Sequence, residues 1–422
     1  INGITNDGWI YGNASAPYLP VDFTESDGDE VTHWVREFNT RGYLSTDNGQ
    51  TIIPVIAPES RFGGESSILD VSDNGFAVGF ASTAVNEEKL ALIEDETTGC
   101  SSASLQEDLP FDVCVQSLIL NNSTDSNEIS DFYEINAFKW TLDSSGIINE
   151  EQLGALVTPH ADDIRAYTNR AQAINNNGVA VGFADGWFDE DVTEPEINQS
   201  FFEYAVIYKN GEVKELKSDH SKYYIGRAYD INDAGFAVGH TTAFDGTTKF
   251  YYANTNTETM DMVLPQSFFT GSGSSARAIN ENNLVVGYGE VETHSVGQGN
   301  PRRRHGFLYD IANESFTDLN DFLSCNSQYT IIDARDINDN DEISATAIIT
   351  VPRRDSKGEL MLADDGTQLN EDVVRAIKLE KIVGGVIEDC SEVEEKIERQ
   401  GAGLGLGALF ALMLVGFRRK FI

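Results

Sequence analysis

The residues most suggestive of chemistry are runs of side-chain oxygens. Asp336-Ile-Asn-Asp-Asn340-Asp341 sets Asp336, Asn338 and Asn340 at alternate positions, as the start of a calcium loop does, and Asp70-Val-Ser-Asp-Asn-Gly75 is a weaker version. A tight loop closes with a carboxylate further on, where this chain has Ser344, Ala345 and Val78. Asx side chains that cap their own turns explain the same residues without an ion, so calcium is the only cofactor the sequence offers. The histidines, His33, His160, His220, His240, His294 and His305, are dispersed. With no His-x-x-x-His pair and no Gly-x-Ser-x-Gly elbow, zinc and serine-hydrolase chemistry lack support. Carboxylate pairs for glycoside cleavage carry no signal in a chain with 69 Asp+Glu.

Cys100 and Cys114 lie in a segment rich in Thr, Ser, Asn and Asp, without a Cys-x-x-Cys pair or a histidine, which favours a disulfide over a metal site. Cys325 and Cys390 are the candidates for a second bridge. The basic run Arg302-Arg-Arg-His305 reads as a strand entry whose charges meet local carboxylates, not as a ligand site. The formal net charge is −40, which argues against nucleic acid and anionic lipid as partners and in favour of solubility in salty surroundings.

These residues sit on a repeated scaffold. Ile4, Val71, Ile174, Ile231, Ile279 and Ile337 are each followed by a small polar residue and, four positions on, by Gly8, Gly75, Gly178, Gly235, Asn283 or Asp341. Gly, Asn and Asp most readily take positive φ, so the pattern marks a backbone requirement at a tight hairpin turn. After each turn bulky and small residues alternate, as in Phe236-Ala-Val-Gly-His240, the two-residue period of a strand covered on both faces. A second hairpin opens at Gly42, Ala137, Ala205, Phe250, Gly306 and Ala376, and its turns carry Asp47-Asn-Gly49 and Lys209-Asn-Gly211. Four strands per repeat, with anchors 57, 48 and 58 residues apart from Ile174 to Ile337, predict an all-β propeller of about six four-stranded blades, or seven if an N-terminal part is missing. The chain begins at Ile1, within the first strand of the first copy, so a cleaved signal peptide and one further blade are expected upstream.

The propeller is expected over residues 1–383, with a long aperiodic insertion at 81–136 and a solvated acidic loop at Thr24-Glu-Ser-Asp-Gly-Asp-Glu-Val. A charged linker follows at 384–400, then a sorting or transmembrane tail at 401–422. Between Gly401 and Phe417 there is no charge, and Arg418, Arg419 and Lys420 follow at once. Seventeen helical residues would span roughly 26 Å, a thin membrane anchor whose basic end stays cytoplasmic. A permanent anchor using Gly403-x-x-x-Gly407 as a packing face is the alternative to processing.

The pairing of an Ile-Asn-x-x-Gly-x-x-Val-Gly hairpin with a strand such as His305-Gly-Phe-Leu resembles the HAF-type extracellular repeat proteins of bacteria, over residues 1 to 380. The tail, with Gly401-Ala-Gly403, an apolar helix and Arg418-Arg-Lys420, resembles the GlyGly-type sorting signals that a rhomboid-like protease cleaves in Gram-negative bacteria. Together they imply export, an inner-membrane stage, and release to the cell surface or medium. The expected function is a binding module for an extracellular glycan or protein; the rivals are a propeller enzyme acting on polysaccharide and a structural surface component. The loop joining the second and third strands varies most in length, which places recognition at residues 13–41, 81–136, 183–203, 288–304 or 345–374.

Overall fold

A computed structural model describes residues 1–120, 132–163, 165–189, 191–294, 301–382 and 384–388. Six antiparallel sheets follow one another along the chain, each ordered as its strands occur in sequence. Blade 1 is Gly3–Ile4, Ile10–Ala14, Arg41–Ser45 and Ile53–Pro54; blade 2 is Ser66–Val71, Phe76–Val85, Tyr133–Asp143 and Gly146–Gln152. Blade 3 is Asn169–Ile174, Ala180–Trp187, Phe201–Lys209 and Glu212–Glu215; blade 4 is Tyr223–Ile231, Phe236–Ala243, Thr248–Asn254 and Met262–Val263. Blade 5 is Ser274–Ile279, Leu284–Glu290, Arg304–Asp310 and Ser315–Asp318; blade 6 is Tyr329–Ile337, Ile343–Pro352 and Asn370–Leu379. The first strands of blades 2 to 6 lie beside one another, as the axial strands of a β-propeller do.

Alternating residue size becomes interlocking blades. Phe76 and Val78 of blade 2 pack with Ala171, Ile174 and Ala180 of blade 3, and Val238 and Phe236 of blade 4 pack with Ala276 and Ile279 of blade 5. Each anchor from blade 2 onward is thus pressed against the preceding blade; Val71, Ile174, Ile231, Ile279 and Ile337 are all buried, whereas Ile4 is 64% exposed. On the far face of blade 6, Glu342, Ser344 and Thr346 replace the bulky apolar residues of the other blades, so the apolar interlock ends there.

The repeated turn has the backbone its composition implies. Gly8, Gly75, Gly178 and Gly235 have φ of 80°, 77°, 74° and 83°, and Asn283 and Asp341 both have 61°. The later glycine has a different cause: a Cβ at Gly239 would be driven into the Arg227 carbonyl, because the first strand bulges toward it. Blade 6 has Ala345 at this position and carries an additional register shift between Ile331 and Asp333.

The acidic run forms the exposed connection expected of it: residues 25–29 lie outside the strands and close a hairpin between Leu19–Thr24 and Glu30–Val35. Two expectations need correction. The insertion at 81–136 is not aperiodic throughout, since it holds helices α1 (Glu87–Glu94) and α2 (Phe111–Leu120). Blade 6 has three strands, not four, among the described residues. Cys100 and Cys114 are joined, with Cα atoms 5.6 Å apart. Cys325 is not a free thiol, while its expected partner Cys390 lies outside the described residues, as do Gly401, Gly403, Arg418, Arg419 and Lys420. No helix among the described residues is long and apolar enough to cross a membrane.

Candidate functional site

The two ends of the propeller differ in kind. At one end the repeated turns are tied to each other around the axis. The Asn175 side chain donates to the Asn232 carbonyl, Asn232 to Asn280 and Asn280 to Asn338, each at 3.0 Å. One residue further along, the Asn176 amide donates to Asp233, that of Asp233 to Glu281 and that of Glu281 to Asp339, at 2.7, 2.8 and 3.0 Å. In blades 3, 4 and 5 the polar residue after the anchor, Asn175, Asn232 or Asn280, is therefore an inter-blade tie as well as a turn former. Asp336, Asn338 and Asn340 belong to this end. The Asn338 side chain accepts from the Asn340 and Glu342 amides and Asp336 accepts from Ile337, which are turn-capping roles. Among the described residues there is no group of three or more His, Cys, Asp or Glu that could hold a metal ion.

Inside the axis, buried Asp70 accepts from Val71 and from Ile174 of the next blade, and Asp230 accepts from Ile231 and Ile279 in the same way, all at 2.8 Å. These carboxylates stitch alternate blades. Burial, then the charge of Asp70, pushes the Asp230 carboxyl up to about 8, and burial also raises Asp70. Tyr11 donates to Asp70 at 3.3 Å from blade 1.

At the other end lie the loops between second and third strands, and the side chains there are less committed. Across blades 3 and 4, Phe188, Phe202, Tyr224 and Phe244 form a chain of ring contacts with centroids 5.3 to 6.1 Å apart, and Phe188 and Phe244 are exposed. Between blades 5 and 6 a cavity of about 430 Å³ is lined by Tyr288, Arg304, Gln328, Thr330, Asp333 and Thr350, among others. The basic run separates by function here. Arg302 pairs with Glu290 at 2.8 Å, Arg303 with Glu292 at 2.6 Å and His305 with Asp318 at 2.6 Å. Arg304, the first residue of its strand, lies over the Tyr288 ring at 4.5 Å.

Arg277 stands behind this cavity, reaching the rings of Tyr288 and Tyr229 at 5.0 and 5.7 Å. It occupies the bulged position of its strand, a site that re-aims a side chain. The nearby His240 is held down to about 4 by burial and by Arg227 and Arg277, so it is neutral at pH 7. Sequence reading missed Arg277 and Tyr288 as members of one site because the repeated glycine, here Gly287, marks the close approach of the bulged strand but not where the bulge aims Arg277.

The architecture is that of a β-propeller, and within that class the chain belongs to the family described as a protein of unknown function, DUF3466, whose model matches residues 1–420. No curated protein matches the chain. Among solved structures it is similar to a puromycin-hydrolyzing peptidase from Mycobacterium tuberculosis, at 12% identity and a TM-score of 0.37 over 82% of this chain and 44% of that one. It is also similar to a Trypanosoma rangeli sialidase in complex with the inhibitor DANA, at 11% and 0.35 over 84% and 54%. A third is the β-propeller domain of the Trilobed protease from Pyrococcus furiosus, at 7% and 0.29 over 79% and 90%. The chain spans about half the length of the first two.

Proposed function

We propose that this protein is an exported binding module that engages a glycan or protein ligand through the end of the propeller bearing the long loops. The observation that carries the reading is the contrast between the ends. One is locked by a repeated inter-blade hydrogen-bond relay, and the other presents exposed aromatic rings and a basic cavity on variable loops. Export agrees with the Cys100–Cys114 disulfide and with the HAF-type repeat pattern. The GlyGly-type tail would hold the protein at the inner membrane until a protease releases it.

Incubating the full chain with alginate, pectin, chitin and cellulose separates a binder from an enzyme. Cosedimentation with unchanged polysaccharide chain length is the expected outcome. Shortening of the polysaccharide would overturn the reading in favour of a hydrolase or lyase.

A further inference from the structure

We infer that the cavity between blades 5 and 6 is a subsite for a carboxylate-bearing saccharide, gripped by Arg304 at its mouth with Arg277 and Arg335 beside it. The inference rests on the binding-module reading above and supplies its ligand chemistry.

The argument begins with unmet hydrogen bonding. Asp333 lines the cavity with its side chain 14% exposed, and its Oδ2 forms an ion pair with Arg335 Nε at 2.8 Å. Its Oδ1 faces Arg277 Nε at 3.9 Å, too far for a hydrogen bond, and both atoms are buried without a partner. A buried guanidinium nitrogen and a buried carboxylate oxygen, each unsatisfied, cost free energy that an incoming polar group can recover. Arg304 lines the cavity and Arg277 and Arg335 flank Asp333 in its wall, whereas Arg302 and Arg303 are already neutralised by Glu290 and Glu292. Against the three stand Asp333 and, on the rim, Asp372, whose carboxylate accepts from Thr350 at 2.7 Å. The balance is one uncompensated positive charge, in a chain whose net charge is −40.

That isolated excess selects an anion. Arg304 is exposed and has no ion-pair partner among the described residues; its contact with Tyr288 orients the planar donor fork without cancelling its charge. A carboxylate matches that fork in a bidentate way. Gln328, Thr330 and Thr350 add amide and hydroxyl groups along the wall, which suit the hydroxyls of a sugar. The remaining surface is strongly acidic, so a polyanion would be repelled except where this cavity receives one of its carboxylates.

The test is calorimetric titration of the full chain with an oligogalacturonate and with the neutral galactan of equal length, using Arg304→Gln and Arg303→Gln. Both substitutions remove one positive charge, so a general electrostatic effect moves both alike. The expected result is binding of the uronate over the galactan, weakened at least about tenfold in Arg304→Gln and less than about twofold in Arg303→Gln. Equal weakening in both variants, or equal binding of the two saccharides, would overturn the inference while leaving the binding-module reading standing. Failure of the uronate to bind overturns the inference too, and the polysaccharide panel then decides the wider reading alone.

Discussion

Gly235 and Asn283 occupy the same place in the repeat, yet they bear different burdens. A Cβ at Gly235 would meet the Asn256 amide at 2.5 Å and Thr255 Oγ1 at 3.0 Å, in a backbone with φ of 83°. Gly235→Val should therefore destabilise by about 2 kcal/mol. Asn283 tolerates positive φ but also accepts from the Asn232 side chain at 2.9 Å, so Asn283→Gly removes an inter-blade bond and should cost under about 1 kcal/mol. Thermal melts rank the two, and the reverse order would discredit the turn assignment. The positive φ is legible from the Gly, Asn and Asp at this position; the bond to Asn232 is not, because its partner lies 51 residues away. Asp230 is testable through pH. Folding raises its carboxyl from 3.8 to about 8, so the fold favours the protonated acid. Its contribution is full below about pH 4 and is lost as pH rises toward about 8. Asp230→Asn, which does not titrate, should flatten the fall in Tm across that window, and parallel curves for the two proteins would contradict the assignment.

The insertion of blade 2 shows where elements escape a sequence reading. Strands announce themselves by alternation, as in Phe76-Ala-Val-Gly-Phe80, whereas α1 buries only Ile93 and α2 only Val115 and Gln116. These helices exist because they cover Phe80, Phe132, Tyr133 and Ile135, and that packing is a tertiary fact. Removing residues 98–116 would strip this cover, so the insertion is better probed by its disulfide. Cys100 and Cys114 close a loop with a sequence separation of 14, worth roughly 3 kcal/mol in the chain-entropy account. Replacing both by Ser should speed amide exchange in α1 and α2 by about a hundredfold and leave the blades unchanged. Uniform acceleration across all six blades would show that the insertion supports the propeller itself.

At the scale of the whole molecule, propeller architecture was readable because six copies of one turn fix the repeat, and the variable loops fix one end as the less constrained. The contents of that end were not, since Arg277, Tyr288, Arg304 and Asp333 come from different strands and two blades. The proposed sorting tail has its own test: intact mass of the mature extracellular protein should lack Arg418 to Lys420, and a species retaining them would favour a permanent anchor. The central claim is that ligands meet the long-loop end. Hydrogen exchange of the full chain with and without the polysaccharide it cosediments with tests this most directly. The account predicts slowed exchange at residues 188–200, 244–247, 301–304 and 353–369, with no change at the turns 175–178, 232–235 and 280–283. Protection confined to those turns would contradict it.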